Sequence, residues 1–387
     1  MTLQLFFTFL LVSTANAQTT QQPNPCVRWG QQTARINNTL YVYGGQARLE
    51  PGQQSGTWTN AFLSLPLDSS FSTGSPPLKQ ISLGNANPPA VSLGSLFCGP
   101  EGSLLQYGGE FSDQPYVQPT QAPIWRWDES GGWRTQTLNG DGELVRIAEG
   151  AGAQMENGGN AYYFGGHMDY NSVYGWSIDT QRVYTGGLVE FDFQAGTYQN
   201  LSTGSSSDPV YRADHTLTWV PSDGKGLLVS LGGGNDHLII TNDVLDVYNL
   251  DTNEWGKQPT TGDTLPPRTN HCAVLGKSGD KNFQIFVYGG QNANQTARYS
   301  DVYILDIPSY KWTYVGDNLP GHPGVRVGHT CELVGREMLV VGGLVEQDLM
   351  CDQPGIYVYD VTASSWKTTF DGKTDYKYPE NPSKCGW

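Results

Sequence analysis

Three of the six histidines fall at one repeated spacing behind an arginine: Arg212 with His215, Arg268 with His271, and Arg326 with His329. The same spacing places Gln31 after Arg28 and Glu149 after Arg146. Imidazoles in register would suit metal ligation or proton transfer if they met. A side chain that recurs once per repeat lies instead around a ring, too dispersed to share one tetrahedral ion. No metal and no cofactor are therefore expected. There is no Gly-x-Ser-x-Gly elbow, no His-Glu-x-x-His pair and no phosphate loop. Carboxylate pairs for glycoside hydrolysis stay open, because an acidic chain holds many. The arginines and histidines read first as a structural set, each arginine binding carbonyls of the next repeat and each histidine satisfying buried polar groups.

The elements that must hold these residues recur six times. An apolar strand ends in two glycines at Gly44-Gly45, Gly108-Gly109, Gly165-Gly166, Gly232-Gly233, Gly289-Gly290 and Gly342-Gly343. Downstream comes an alternating strand such as Asp301-Val302-Tyr303-Ile304-Leu305-Asp306. A short last strand follows, with one aromatic: Trp133, Tyr198, Trp255, Trp312 or Trp366. Upstream lies a strand led by the arginine signature, which only the second repeat lacks, showing Pro89 and Ser92. A four-stranded sheet cannot bury both faces alone, so such sheets must stack on one another. The expected fold class is all-β.

The double glycine after an aromatic strand, followed by an Asp-ended strand and a Trp, resembles the kelch repeat from Arg28 to Phe370. The resemblance is to secreted or surface-anchored fungal kelch-repeat proteins. It implies a six-bladed kelch-type β-propeller with four antiparallel strands per blade, similar in fold to the central domain of galactose oxidase. The first repeat departs from the pattern, with Leu78 in place of the last aromatic, and the fourth has a third glycine, Gly234. Copper-radical chemistry of the oxidase type would need two His and two Tyr ligands, one Tyr cross-linked to Cys. Phe97-Cys98-Gly99-Pro100 is similar to part of that set. However, Ile147-Ala148-Glu149-Gly150 offers no Tyr, and Asp214, Asn270 and Gly328 precede the three histidines. A copper-radical or carbohydrate-active enzyme is therefore the alternative, and a non-catalytic scaffold for protein or glycan binding is the expectation.

Composition narrows the partners. The net charge is −15 and no stretch concentrates Lys and Arg, which disfavours nucleic acid. No later run approaches the length of a membrane helix. The segment Leu3–Val12 is apolar and Ala15-Asn16-Ala17 is a cleavable triplet, so 1–17 reads as an export signal. Residues 18–27 then lead in, 28–370 form the propeller, and 371–387 are a tail closing the ring. Sequons at Asn37, Asn200 and Asn294 fit a secreted or cell-surface glycoprotein. Six cysteines in an exported chain imply disulfides. The expected pairs are Cys26–Cys385, fastening the ends with a loop-entropy benefit of roughly 4–5 kcal/mol, and Cys331–Cys351. Cys98 and Cys272 are read as buried thiols, and no strand exchange is expected to lock the ring.

The loops after the first three glycine pairs are long and carry Trp58, Asp113, Tyr116, Asp169, Tyr170, Tyr174 and Trp176. They share a face with Arg28, Arg146, Arg212, Arg268 and Arg326, near the central channel. Long loops on a rigid scaffold are where recognition usually resides. These residues are the candidate binding set, on a protein expected to be a monomer. Expressed in a eukaryotic secretory host, the chain should reach the medium with Gln18 at its N-terminus. N-terminal sequencing that finds Met1 on exported protein would refute the signal assignment.

Overall fold

The computed structural model describes residues 26–201, 209–278, 282–345 and 351–375. Among the described residues there is no α-helix, only two single-turn 3-10 segments at Pro100–Gly102 and Glu156–Gly158. Strands rich in Val, Ile, Leu and aromatics alternate with Gly- and Asn-rich turns, which is the composition short strands require. The first sheet runs from inner to outer strand as Gln32–Ile36, Thr39–Tyr43, Phe62–Pro66 and Lys79–Ile81. The inner strands that open the next five sheets are Ser92–Cys98, Ala151–Gln154, Thr216–Val220, Cys272–Ser278 and Thr330–Val334. Each pairs antiparallel with the strand carrying the double glycine, as the repeat pattern expects.

The Asp that ends the third strand has a local task. Asp128 Oδ1 accepts from the Gly131 amide at 2.6 Å, and Asp192 Oδ1 from Ala195 at 2.8 Å. Asp360 Oδ1 takes the amides of Thr362 and Ala363 at 3.1 and 2.9 Å. These side chains close the tight turn into the outer strand. There the Trp turns away from its own turn and packs onto the preceding sheet. Trp133 meets Tyr43 at 4.6 Å between ring centroids, Trp255 meets Phe164 at 4.7 Å, and Trp366 meets Tyr288 at 5.0 Å.

Six apolar clusters fill the spaces between consecutive sheets, and the cluster of Leu40, Leu65, Leu339 and Val358 joins the sixth sheet to the first. Two sets of backbone hydrogen bonds knit the inner ends. The second glycine of each pair donates to the next sheet: Gly45 to Val91 O, Gly109 to Ile147 O, Gly166 to Arg212 O, Gly233 to Arg268 O, Gly290 to Arg326 O and Gly343 to Arg28 O, all at 2.7–3.0 Å. One left-handed residue per sheet donates to its counterpart in the preceding sheet: Leu93 to Gly30, Glu149 to Leu93, Asp214 to Glu149, Asn270 to Asp214, Gly328 to Asn270 and Gly30 to Gly328. These six bonds form one cycle. Below them the inner strands line a cavity of about 940 Å³.

The close approach explains the first glycine of each pair. Gly232 has φ +64, and a Cβ there would sit 2.5 Å from the Arg268 carbonyl oxygen. A residue with a Cβ faces both the left-handed penalty and a collision with a neighbouring backbone.

The structure corrects four expectations. Cys26 pairs with Cys351 and Cys272 with Cys331, while Cys98 stays a thiol; Cys385 lies outside the described residues. The expected Cys331–Cys351 pair is thus exchanged for two bridges that link the lead-in to the sixth sheet and the fifth inner strand to the sixth. Strand exchange does occur at the seam: Thr369–Phe370 pairs antiparallel with Phe71–Ser72, and the rings of Phe370 and Phe71 stack at 4.8 Å. It is one case of a wider habit, since Asn139–Gly140 and Thr261–Gly262 also add to the outer edge of the following sheet, making those sheets five-stranded. Arg28 lies on a separate short strand, Val27–Trp29, paired with Gln46–Arg48, and the inner strand begins only at Gln32. Finally, the third sheet carries one extra residue in this segment. Glu149 therefore stands where Asp214 and Asn270 stand, and Gly150 takes the histidine position.

Gly232→Ala should lower unfolding stability by more than about 3 kcal/mol. Gly158→Ala, at φ +70 but with nothing within 4 Å, should cost only about 1 kcal/mol. Chemical denaturation of both variants measures the part due to close approach, and equal losses would refute it.

Candidate functional site

The arginines sit inside the inner rim. Arg268 and Arg326 are fully buried and Arg28, Arg146 and Arg212 nearly so. Three bind the first-glycine carbonyl of their own sheet, not the next one as expected: Arg28 to Gly44 O at 3.4 Å, Arg268 to Gly289 O at 2.9 Å and Arg326 to Gly342 O at 2.6 Å; Arg146, which leads into the third sheet, reaches back to Gly108 O of the second at 2.5 Å. Carboxylates complete several of them, Asp301 with Arg268 and Asp352 with Arg326, while Arg212 pairs with Asp246. Their guanidinium groups hold the turn that follows each glycine pair.

The histidine position reaches backward. Gln31 Nε2 donates to Val341 O at 2.6 Å, His329 Nε2 to Tyr288 O at 3.1 Å, and His271 Nε2 lies 3.2 Å from Thr216 Oγ1. Burial, with the nearby arginine second, holds His271 and His329 down to about 3 and His215 well below the ordinary imidazole value. These rings are neutral joints between sheets.

A different polar group sits at the mouth of the second to fourth sheets. His167 follows its glycine pair directly and is fully buried. Its Nδ1 lies 3.0 Å from Glu149 Oε2 and its Nε2 3.1 Å from Asp169 Oδ2. Burial works against its charge, but the hydrogen bonds to Asp169 and Glu149 outweigh that and push it up to about 9. With a carboxylate beside each nitrogen, the ring is an imidazolium that donates from Nε2 to Asp169 and faces the charge of Glu149 on its other side. Arg182 adds a second cation at 3.1 Å from Asp169. Burial followed by the charge of Glu149 raises Glu110 to about 8, and the same two causes raise Asp214. Two members of the left-handed cycle, Glu149 and Asp214, thus bring titratable carboxyls to this cluster, where Gly30 and Gly328 have no side chain to bring.

Above this cluster the loops form a surface. Tyr116 is exposed and its ring lies 5.9 Å from that of Tyr170, joining the loops of the second and third sheets. The Phe111 amide donates to Asn171 O at 2.9 Å across the same junction. Tyr184 donates to Asp236 Oδ1 at 2.9 Å, joining the third loop to the fourth. Asp113 and Tyr174 are exposed, while Trp176 and Trp58 are partly covered. Asp169 is not available as a contact residue, because His167 and Arg182 consume it. Among the described residues eleven large apolar side chains stay exposed, and nine belong to the loops of the first to fourth sheets or to the segment leading into the fourth inner strand. Ile178, Tyr211 and Leu238 are among them and were not in the sequence-derived set. Tyr211 directly precedes Arg212, so the repeat alignment alone places it on the rim. Asn37, Asn200 and Asn294 are all exposed.

Stacked sheets of one repeated strand order, with the variable chemistry confined to one rim, define an all-β repeat protein. Residues 214–380 match the KLHDC2/KLHL20/DRC7 Kelch-repeats domain. A Kelch repeat-containing protein of Arthroderma benhamiae is 35% identical over 390 residues, which cover 90% of this chain and 58% of that protein. Host cell factor 1 of Homo sapiens is 35% identical over 142 residues, 36% of this chain and 6% of that protein. Dynein regulatory complex subunit 7 of Chlamydomonas reinhardtii is 33% identical over 132 residues, 33% of this chain and 11% of that protein. The chain spans little more than half the length of the first of these relatives. Together these matches support a kelch-repeat protein, and kelch repeats imply a β-propeller. Among the described residues no helix is long and apolar enough to cross a membrane.

The two kinds of histidine give opposite pH responses. Lowered His values mean that the unfolded chain binds protons the folded one refuses. Stability is then full above about 6.5 and falls as pH drops toward 3, by about 1.4 kcal/mol per pH unit for each ring. The raised value of His167 contributes stability that is full below about 6.5 and is lost as pH rises through 9. His271→Gln should flatten the acid limb of a denaturation-midpoint profile, and His167→Gln the limb between pH 7 and 9. Gln31 already fills the first of these positions in another repeat. Unchanged limbs in both variants would overturn the assignment.

Proposed function

We propose that the chain is a six-bladed propeller that works outside the cell as a non-catalytic, monomeric recognition scaffold, with a protein segment bound on the loop face of the second to fourth blades. The concentration of exposed apolar side chains on that rim carries the reading, since eight of the eleven among the described residues lie there. Contiguous exposed apolar surface rimmed by polar groups is how interaction sites differ from ordinary surface. The acidic side chains Asp113, Asp179 and Asp236 are exposed among them. A partner with apolar and aromatic anchors flanked by Lys or Arg fits this chemistry. Two of the partial matches carry names of cellular factors or complex subunits, in keeping with a protein-binding role. The six-blade count rests on the six inter-sheet clusters and the single cycle of backbone bonds.

The paired rings of Tyr116 and Tyr170 favour one second reading, a glycan stacked on aromatic faces. The same experiment separates the two. Secreted protein is presented to a glycan array and to pull-down from extracellular fluid, beside a Tyr116→Ala, Tyr174→Ala, Tyr211→Ala triple variant. A protein bound by the parent and lost at least tenfold in the variant is the expected result. Selective array signal lost in the variant would instead assign a glycan, and ligands bound equally by both proteins would sink the face assignment.

A further inference from the structure

The axial cavity holds one group of chemistry that the binding face does not use. Cys272 opens the fifth inner strand, Cys331 lies on the sixth, and their disulfide bridges the two sheets within the cavity lining. His329, two residues before Cys331, lines the same cavity. One ligand atom from each of the three lies within 4.8 Å of the others. His329 is only 4% exposed, and its Nδ1 has no hydrogen-bond partner. Its Nε2 faces the Tyr288 carbonyl oxygen at 3.1 Å. A carbonyl can only accept, so the proton is on Nε2 and Nδ1 presents a bare lone pair. A backbone carbonyl bound to the far nitrogen is the support that ligating histidines usually have.

We propose that Cys272, Cys331 and His329 form a redox-gated site for a thiolate-preferring cation, Zn(II) or Cu(I), inside the propeller axis. In the oxidised chain the sulfurs are bonded to each other and the site is closed. A small thiol reductant delivers two electrons to the S–S bond, which breaks to give two thiols, and the reductant leaves as its own disulfide. The Zn(II) or Cu(I) ion then forms two metal–thiolate bonds, both thiol protons pass to solvent, and the His329 lone pair makes the third bond. Thiolate and imidazole donors in this number select Zn(II) or Cu(I) over Mg(II) or Ca(II). The cavity reaches the site: Cys331 is only partly covered, so a reductant and a hydrated ion have a path. The site does not depend on the three repeated histidines converging, since His215 and His271 take no part.

The test uses the whole chain with Cys98→Ser, which removes the free thiol that also lines the cavity. Oxidised and reduced protein are titrated anaerobically with Co(II), then with Zn(II). The reduced form should bind one Co(II) with thiolate charge-transfer absorption, which Zn(II) then bleaches, and the oxidised form should show none. Cys331→Ser should abolish the band. His329→Gln should weaken binding at least about tenfold while its oxidised form melts like the parent, because glutamine makes the same inter-sheet bond in the first repeat. Replacing Cys26 and Cys351 by Ser should leave the band in place. A band that survives Cys331→Ser, affinity unchanged by His329→Gln, or no band on reduction would each overturn the proposal.

Discussion

The bond from the second glycine of each pair to the carbonyl leading into the next sheet is the constraint on which the rest depends. It fixes how near one sheet's inner end stands to the next, and leaves no room for a side chain at the first glycine. That spacing sets the interlayer distance for all six apolar clusters, because sheets held at the centre can only diverge outward. In the first, fifth and sixth sheets the arginine beneath the turn acts in the same direction, pinning the carbonyl of that first glycine from its own side. Backbone groups at a buried sheet end need partners, and here neighbouring sheets supply them to each other.

Because these bonds use only backbone, the side chains of the left-handed cycle are released from structural duty. The cycle runs through Gly30, Leu93, Glu149, Asp214, Asn270 and Gly328, and the bonds ask only for a left-handed backbone, which Gly, Asn and Asp adopt most readily. Its acidic members fall on the half where His167 and Arg182 bring compensating charge. The loops above that half are also the ones with exposed Tyr116, Tyr174 and Tyr211. The symmetric backbone and the asymmetric side chains are thus separate layers, the first setting distances and the second setting chemistry.

Much of this was legible from spacing. The glycine pairs, the third-strand Asp and the outer Trp each meet a requirement that recurs in every repeat, so they surface as a pattern. What escaped was local exception or depended on which repeats touch. Glu149 looked like a member of the arginine signature because one inserted residue shifted it by a single place. Asp169 looked like a surface carboxylate until His167, a residue unlike its counterparts Gln46 and Gln291, was seen to bury it. The cysteine partners required knowing that the sixth inner strand lies against the fifth, and that the segment before the first sheet lies against the last loop. Ile178, Tyr211 and Leu238 were missed because loop length says how much chain is present and not which side chains remain uncovered.

The bridge from Cys26 to Cys351 joins residues 325 positions apart. It turns nearly the whole chain into one covalent loop. A protease that severs any one exposed turn inside that loop opens the ring without releasing a fragment, and both new ends stay held by sheets on either side. Two cuts are needed before a piece can leave. Durability against enzymatic attack thus resides in the connectivity of the chain as well as in the free energy of its fold.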